Sequence, residues 1–129
     1  MTNATVLIVE DELTIAELLV MALSDGGYRV VLAANGRRAL ELLSNGLLPD
    51  LIITDFMMPV LDGVGFIQAV QQNETQRGIP FIIISSIPED AVRSRVHGYA
   101  GFVRKPFRLA TVMQLVTNVL ARSSSPTCC

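Results

Sequence analysis

The sequence predicts a single α/β domain in which five parallel strands alternate with helices in a doubly wound sheet. Three observations carry this prediction. Five short apolar runs recur along the 129 residues, three of them are nearly unbroken by polar side chains, and the segments between them change to helical spacing. Unbroken apolar strands are typical of a parallel sheet covered on both faces. Strict alternation with short connections favours right-handed crossovers.

The predicted strands are short and mostly aliphatic. They lie at residues 5–9 (TVLIV), 28–33 (YRVVLA), 51–54 (LIIT), 81–85 (FIIIS) and 101–103 (GFV). The third strand ends at Asp55, because Pro59 cannot donate to a sheet ladder and Asp62-Gly63 is a turn sequence. An apolar segment therefore stops on a carboxylate.

Two of the predicted helices show a clear apolar stripe. The stripe of the first is Leu13, Ala16, Val20 and Leu23, and the stripe of the last is Leu109, Val112, Val116 and Val119. Gly26-Gly27 and Asn45-Gly46 close the first two helices as C-terminal caps. Pro88-Glu89-Asp90 has the composition of a helix start.

Composition excludes several classes of partner. Ten Lys and Arg against twelve Asp and Glu give a net charge of -2, which provides no broad attraction to nucleic acid or to a membrane surface. A partner protein recognised by a local surface is expected instead. Both cysteines, Cys128 and Cys129, stand at the end of the chain, where their role stays open, and a thiol-free body favours a cytoplasmic location.

Chemically active side chains follow the carboxyl ends of the predicted strands, where α/β sheets bind ligands. The first strand leads into Glu10, Asp11 and Glu12, the third ends at Asp55, the fourth ends at Ser85-Ser86, and the fifth leads into Lys105, the sole lysine. One edge of the sheet thus collects carboxylates, hydroxyls and one ammonium group.

These carboxylates need a counter-charge. Two of them about 5 Å apart repel by roughly 3 kcal/mol at an effective dielectric near 20. Lys105 supplies one positive charge, and a hard divalent ion bound by carboxylates, water and phosphate oxygens describes Mg²⁺ rather than Zn²⁺. A phosphoryl group on Asp55 would give each part a role, with the Ser85 hydroxyl donating to a phosphoryl oxygen.

In this order, the residues closely resemble the receiver domain of two-component response regulators, over residues 5–121. The motifs that carry the resemblance are VEDE after the first strand, D-x-x-M-P-x-x-D-G from Asp55 to Gly63, the serine that ends strand four, and K-P-F from Lys105 to Phe107. The resemblance implies a flavodoxin-like sheet of strand order 2-1-3-4-5, of the CheY-like single-domain type. Residues 1–121 would form the receiver domain and 122–129 a flexible tail or truncated linker.

The resemblance also implies roles for the acidic residues. Asp55 would accept a phosphoryl group from a histidine kinase or a histidine phosphotransfer protein. Asp11, Asp55 and the backbone carbonyl of Met57 would ligate Mg²⁺, and Glu10 would act through water. The chain would assist only its own phosphorylation and dephosphorylation, and would not be an enzyme in the wider sense.

The switch follows from the same resemblance. Lys105 would contact the phosphoryl group, Lys105-Pro106 would be a cis peptide, and Ser85 with Phe102 would form the conformational switch. The face of helix four, strand five and helix five would then repack and bind an unknown output protein or a second copy of the chain. The residues expected on that face are Arg93, Arg95, Tyr99 and Arg104, whereas the first helix near Ile15 and Ala16 would meet the kinase.

Two residues depart from the usual pattern: Glu10 stands where the family usually has Asp, and Phe102 where Tyr is commonest. Met57 and Ser86 would adjoin the phosphoryl group and alter its lifetime in a direction that stays open. His97 is expected to be an exposed cation, with a phosphotransfer role as the alternative.

Other functions stay open at this point. The chain could be a receiver excised from a larger response regulator or hybrid kinase. It could be a pseudo-receiver that binds partners without phosphorylation. It could also be an aspartyl-phosphate phosphohydrolase of the haloacid-dehalogenase type. Those enzymes have a D-x-D motif, however, and in this sequence Met57 stands where the second acid would be.

Overall fold

A computed structural model of the protein describes residues 4–57 and 63–123. Within these ranges five strands alternate with five helices. They are β1 (Thr5–Val9), α1 (Leu13–Asp25), β2 (Arg29–Ala33), α2 (Gly36–Ser44), β3 (Leu51–Asp55), α3 (Gly63–Gln71), β4 (Phe81–Ser85), α4 (Glu89–Arg93), β5 (Gly101–Arg104) and α5 (Leu109–Ser123). Among the helices so described, none has the length and apolar character that crossing a membrane requires.

The strands form one parallel sheet in the order β2-β1-β3-β4-β5, which confirms the predicted fold. The register aligns the carboxyl ends of the central strands. Val9 of β1 pairs with Thr54 of β3, and Asp55 pairs with Ile84 of β4. At the end of β4, Ser85 pairs with Arg104 of β5. The residues that follow these positions therefore meet at one edge.

The sheet separates two apolar layers. One layer lies under α2, α3 and α4 and includes Phe56 and Phe66, and the other lies under α1 and α5 and includes Leu19 and Val112. Every residue of β3 and β4 is buried. Continuous apolar strands covered by helices on both faces are the arrangement that the sequence predicts.

The predicted stripe of α1 is partly wrong. Its buried residues are Ala16, Leu19 and Leu23, and Leu13 is 65% exposed. The buried set keeps the three- and four-residue spacing, but it is rotated relative to the predicted stripe. Because α1 is apolar nearly all round, spacing alone could not choose between the two faces. The stripe of α5 is confirmed, since Val112, Val116 and Val119 are buried and Leu109 packs against them.

The helix ends follow the predicted caps. Gly27 and Gly46 adopt φ values of 91° and 107°, the left-handed conformation that closes a helix, and Pro88 precedes α4. The last helix continues past residue 121, because the backbone stays helical through Ser123. Pro59, Asp62, Cys128 and Cys129 lie outside the described residues.

Gly63 begins α3 in close contact with the end of β3. Its N–H donates to the carbonyl oxygen of Phe56 at 2.9 Å. A Cβ at this position would lie 2.6 Å from the carbonyl oxygen of Asp55 and 2.8 Å from the Cα of Phe56. Both are backbone atoms, so neither could move without displacing the strand end.

We expect Gly63→Ala to lower the free energy of unfolding by about 1–3 kcal/mol, the usual cost of overpacking. The matched control is Gly78→Ala, because a Cβ on Gly78 would meet no atom within 4 Å. Urea denaturation of the two variants measures the difference. Equal stabilities would show that the close approach at Gly63 is unimportant.

Candidate functional site

Asp55 lies at the carboxyl end of β3 and is almost fully buried, at 4% exposure. One of its carboxylate oxygens, Oδ2, accepts a hydrogen bond from Lys105 Nζ at 2.9 Å. The other, Oδ1, accepts from the backbone N–H of Met57 at 3.3 Å. A buried carboxylate is tolerated only with such partners.

Lys105 lies between three carboxylates. Its Nζ is 2.9 Å from Asp55, 3.1 Å from Glu12 and 3.4 Å from Glu10. Burial alone would lower the pKa of Lys105, but the hydrogen bond and charge of Asp55, followed by Glu12 and Glu10, outweigh burial and raise that pKa above its ordinary value. The ammonium group therefore stays charged at neutral pH.

Glu10 is buried, at 3% exposure, and only one of its oxygens is hydrogen-bonded within the described protein. Oε2 accepts from the backbone N–H of Glu12 at 3.1 Å. Oε1 lies 3.4 Å from Lys105 Nζ without forming a hydrogen bond. Burial, with the nearby charge of Asp55, raises the pKa of Glu10 from 4.5 to about 7, against the lowering effect of the Glu12 N–H.

Glu10, Asp11 and Asp55 form an acidic cluster that suits a metal ion. Each offers one carboxylate oxygen, and these oxygens lie within 4.8 Å of one another. Asp11 is exposed, whereas the other two are buried. The donors are all hard oxygens, and Oε1 of Glu10 lacks a hydrogen-bond donor. This chemistry fits Mg²⁺, which prefers oxygen ligands and retains water.

Ser85 connects the site to the neighbouring strands. It is fully buried at the end of β4, and its Oγ accepts from the backbone N–H of Ile87 at 2.8 Å. Because a hydroxyl can donate and accept at once, this bond leaves the Ser85 proton able to bind an added oxygen. The carbonyl of Ser85 accepts from the backbone N–H of Lys105 at 2.8 Å. The Lys105-Pro106 peptide is cis, as the resemblance implies.

The predicted switch aromatic, Phe102, is half-buried on β5 beside Tyr99, with ring centroids 6.3 Å apart. The Tyr99 hydroxyl donates to Glu89 at 2.7 Å, and Arg93 lies 3.5 Å from the same carboxylate. This cluster joins the start of β5 to α4.

The other two residues of the predicted output face have different contacts. The guanidinium of Arg95 lies over the ring of Phe56, at 5.4 Å from its centroid. Nε of Arg104 donates to the carbonyl of Ser86 at 3.1 Å. Arg93, Arg95 and Arg104 are exposed. His97 is exposed as predicted, and its carbonyl accepts from Gln71 at 2.9 Å.

The sequence did not assign a role to Glu12 or Glu89. The acidic run after β1 was visible, but no spacing rule shows that the Glu12 side chain turns towards Lys105. Glu89 stands ten residues before Tyr99, and no sequence signal joins the two.

The fold and this pocket together define a phosphoacceptor domain, in which an aspartate at a strand end receives a phosphoryl group. The family model of the response regulator receiver domain matches residues 6–117, and the chain belongs to that family. Such domains are partners of histidine kinases and are not classical enzymes. The cluster of Glu10, Asp11 and Asp55 is the acidic triad typical of a receiver Mg²⁺ site.

Solved structures agree with this assignment. The receiver domain of a signal transduction histidine kinase from Syntrophus aciditrophicus has a TM-score of 0.85 and 34% identity, covering 98% of this chain and 96% of that chain. The chemotaxis response regulator CheY4 of Vibrio cholerae has a TM-score of 0.82 and 32% identity, covering 92% of this chain and 99% of that chain.

Among curated proteins, the "Probable transcriptional regulator ycf27" of Guillardia theta is 34% identical over 125 residues, which cover 95% of this chain and 48% of that protein. The chain spans about half the length of the first curated relatives it matches.

The buried Glu10 generates a prediction about pH. Its folded-state pKa of about 7 lies above the ordinary 4.5, so protonated Glu10 favours folding. That contribution is fully present below about pH 4.5 and is lost as the pH rises to about 7. Without divalent ions, we expect Glu10→Gln to be more stable than the native protein at pH 8, by on the order of 1–3 kcal/mol, and to gain little at pH 4.5.

Urea denaturation at both pH values measures this difference. The control is Glu17→Gln, which neutralises an exposed carboxylate on α1. A Glu10→Gln variant that gains no stability at pH 8 would contradict the assigned cause.

Proposed function

We propose that Asp55 accepts a phosphoryl group from a phosphohistidine on a histidine kinase or phosphotransfer protein. An oxygen of Asp55 attacks phosphorus, the P–N bond breaks, and the imidazole leaves with the electron pair. The observation that carries this proposal is the 2.9 Å contact of Asp55 with Lys105 inside a cluster of carboxylate oxygens. An ammonium group held there can stabilise the negative charge of a phosphoryl oxygen once the phosphoryl group is transferred.

The metal site is part of the proposal. Asp11, Asp55 and the backbone carbonyl of Met57 would hold Mg²⁺, with Glu10 acting through water. The ion, when bound, neutralises charge on the transferring phosphoryl oxygens. The hydrogen-bond-free Oε1 of Glu10 supports its proposed role, because a bound water could donate to it.

The proposed switch begins at Ser85. Its hydroxyl would donate to a phosphoryl oxygen, drawing the end of β4 inward, and Phe102 would follow by ring burial because it has no hydroxyl. Tyr99 already binds Glu89 of α4 at 2.7 Å and packs beside Phe102, so movement of one ring can reach α4. The face of α4, β5 and α5, with Arg93, Arg95, Tyr99 and Arg104, would repack and bind an output protein.

The kinase would approach from another side. A cavity of about 420 Å³ opens between α1 and the start of α5, beside Lys105, and is lined by Ile15, Leu18 and Phe107 among others. Ile15 keeps its proposed role, but Ala16 is buried and faces the core, so the expectation for Ala16 was wrong. Direct binding to nucleic acid or membrane forms no part of the proposal.

We propose a receiver domain over residues 1–121 that acts in the cytoplasm through protein contacts, with dimerisation on phosphorylation as one form of output. The alternative is a receiver within a larger regulator or hybrid kinase. The sensor kinase CckA of Brucella abortus is 36% identical to this chain over 123 residues, and those residues are 13% of that protein. A domain of this similarity therefore occurs inside a long kinase.

With Mg²⁺ and acetyl phosphate, we expect the native protein to gain one phosphoryl group, because Asp55 is paired and positioned for attack. Asp55→Asn should gain none. Intact-mass spectrometry measures the gain, and a matched control is Asp50→Asn, which changes a carboxylate that accepts from Thr5 away from this site. An unchanged native mass, or an equal gain in Asp55→Asn, would contradict the proposal.

The switch gives a separate prediction. Ser85→Ala should still take up beryllofluoride, a phosphoryl mimic, but the amide shifts of Tyr99 and Phe102 on its addition should shrink by more than half, because the donor at the end of β4 is gone. Ser24→Ala, which removes an exposed hydroxyl near the end of α1, serves as the control. Two-dimensional NMR measures the shifts, and native-sized changes in Ser85→Ala would refute the switch.

A further inference from the structure

Glu12 stands at the mouth of the site with its carboxylate on the lysine. Its Oε1 lies 3.1 Å from Lys105 Nζ, and its side chain is 60% exposed, against 5% for the side chain of Asp55. Glu12 also lines the cavity beside α1, together with Lys105 and Ser86. Glu12 and Lys105 therefore border this cavity together, and Lys105 in turn contacts Asp55.

The side chain of Glu12 contacts Lys105 and does not cap the helix that follows it. Glu12 is the residue that caps the N-terminus of α1, but its side chain makes no capping hydrogen bond. Its structural contacts there are made by the backbone, whose N–H donates to Glu10 and whose carbonyl accepts from Ala16. A substitution that changes only the side chain therefore leaves these backbone contacts in place.

We propose that Glu12 is a specificity-determining residue that discriminates among phosphoryl donors by their charge, an inference that rests on the proposed function of Asp55. The contacts of both residues with Nζ place the carboxylate oxygens of Glu12 and Asp55 no more than about 6 Å apart, within range of strong electrostatic interaction. A fixed negative charge at this distance opposes an anionic donor, and it opposes a dianion more than a monoanion.

The charge of Glu12 is not needed to pair Asp55. Lys105 has three N–H donors, and its Nζ donates separately to Asp55 and to Glu12, with Glu10 at 3.4 Å. When Glu12 is neutral, Lys105 keeps its ion pairs with Asp55 and Glu10, and the entrance of the site loses one negative charge. Small acyl phosphates of metabolism would then reach Asp55 more readily, so Glu12 protects the site from phosphorylation without a kinase.

The test compares two small donors on native protein and Glu12→Gln, at saturating Mg²⁺ and low ionic strength. At neutral pH acetyl phosphate is mainly a dianion, whereas phosphoramidate is mainly a monoanion because its nitrogen is protonated. In each reaction an oxygen of Asp55 bonds to phosphorus. The P–O bond of acetyl phosphate breaks to release acetate, or the P–N bond of phosphoramidate breaks to release ammonia, and in each case the leaving group takes the electron pair of the broken bond.

We expect Glu12→Gln to raise the rate with acetyl phosphate about two- to fivefold, the range for a partly exposed charge pair, and to raise the rate with phosphoramidate less. The ratio of the two rates should therefore change, and the change should vanish near 1 M salt, where charges are screened within about 3 Å. Glu12→Asp, which keeps the charge, should stay close to the native ratio. Intact-mass spectrometry of quenched samples measures each rate.

Glu17→Gln, which neutralises an exposed carboxylate on the same helix, should leave both rates unchanged. An unchanged donor ratio in Glu12→Gln, or a change that persists at high salt, overturns the inference while leaving the proposed function intact. A native protein that takes a phosphoryl group from neither donor overturns both.

Discussion

The arrangement of the acidic site depends on the ion pairs that the ammonium group of Lys105 forms with its carboxylates. Its Nζ lies within 3.4 Å of Asp55, Glu12 and Glu10, and its positive charge offsets the mutual repulsion of the three carboxylates. The fold supplies this position through backbone geometry, because the N–H of Lys105 is bonded to the carbonyl of Ser85 at the end of the adjacent strand. One cation does not neutralise the acidic cluster, and the remaining negative charge is what a divalent ion or a protonated Glu10 would relieve.

Much of the fold and part of the site could be predicted from the sequence. The apolar runs predicted the strands. Because parallel strands end at one edge of the sheet, the sequence also predicted that Asp11, Asp55 and Lys105 lie close together. The facing of α1 could not be predicted, because a helix that is apolar nearly all round offers two acceptable stripes. The side-chain direction of Glu12 and the bond between Tyr99 and Glu89 depend on tertiary contacts that leave no periodic signal.

The contacts between the site and the distant face pass through few groups. Ser85 links β4 to Lys105 by its carbonyl and to Ile87 by its hydroxyl. On the other side, Phe102 packs near Tyr99, whose hydroxyl is bonded to α4. Phe102, the proposed switch residue, has no hydroxyl, and the neighbouring Tyr99 makes the hydrogen bond to α4. In the proposed function, the movement of α4 after phosphorylation therefore depends on two rings, Phe102 and Tyr99, instead of one.

We propose that the oxygens of Asp11 and Asp55, balanced by Lys105, form a divalent-ion site around the aspartate that would be phosphorylated. Anomalous diffraction from crystals containing Mn²⁺, an oxygen-seeking substitute for Mg²⁺, tests it most directly. We expect one strong anomalous peak in coordination contact with both carboxylates, and its loss in Asp11→Asn. Crystals saturated with Mn²⁺ that show no peak at this cluster, or a peak that persists there in Asp11→Asn, would contradict the proposed ion site.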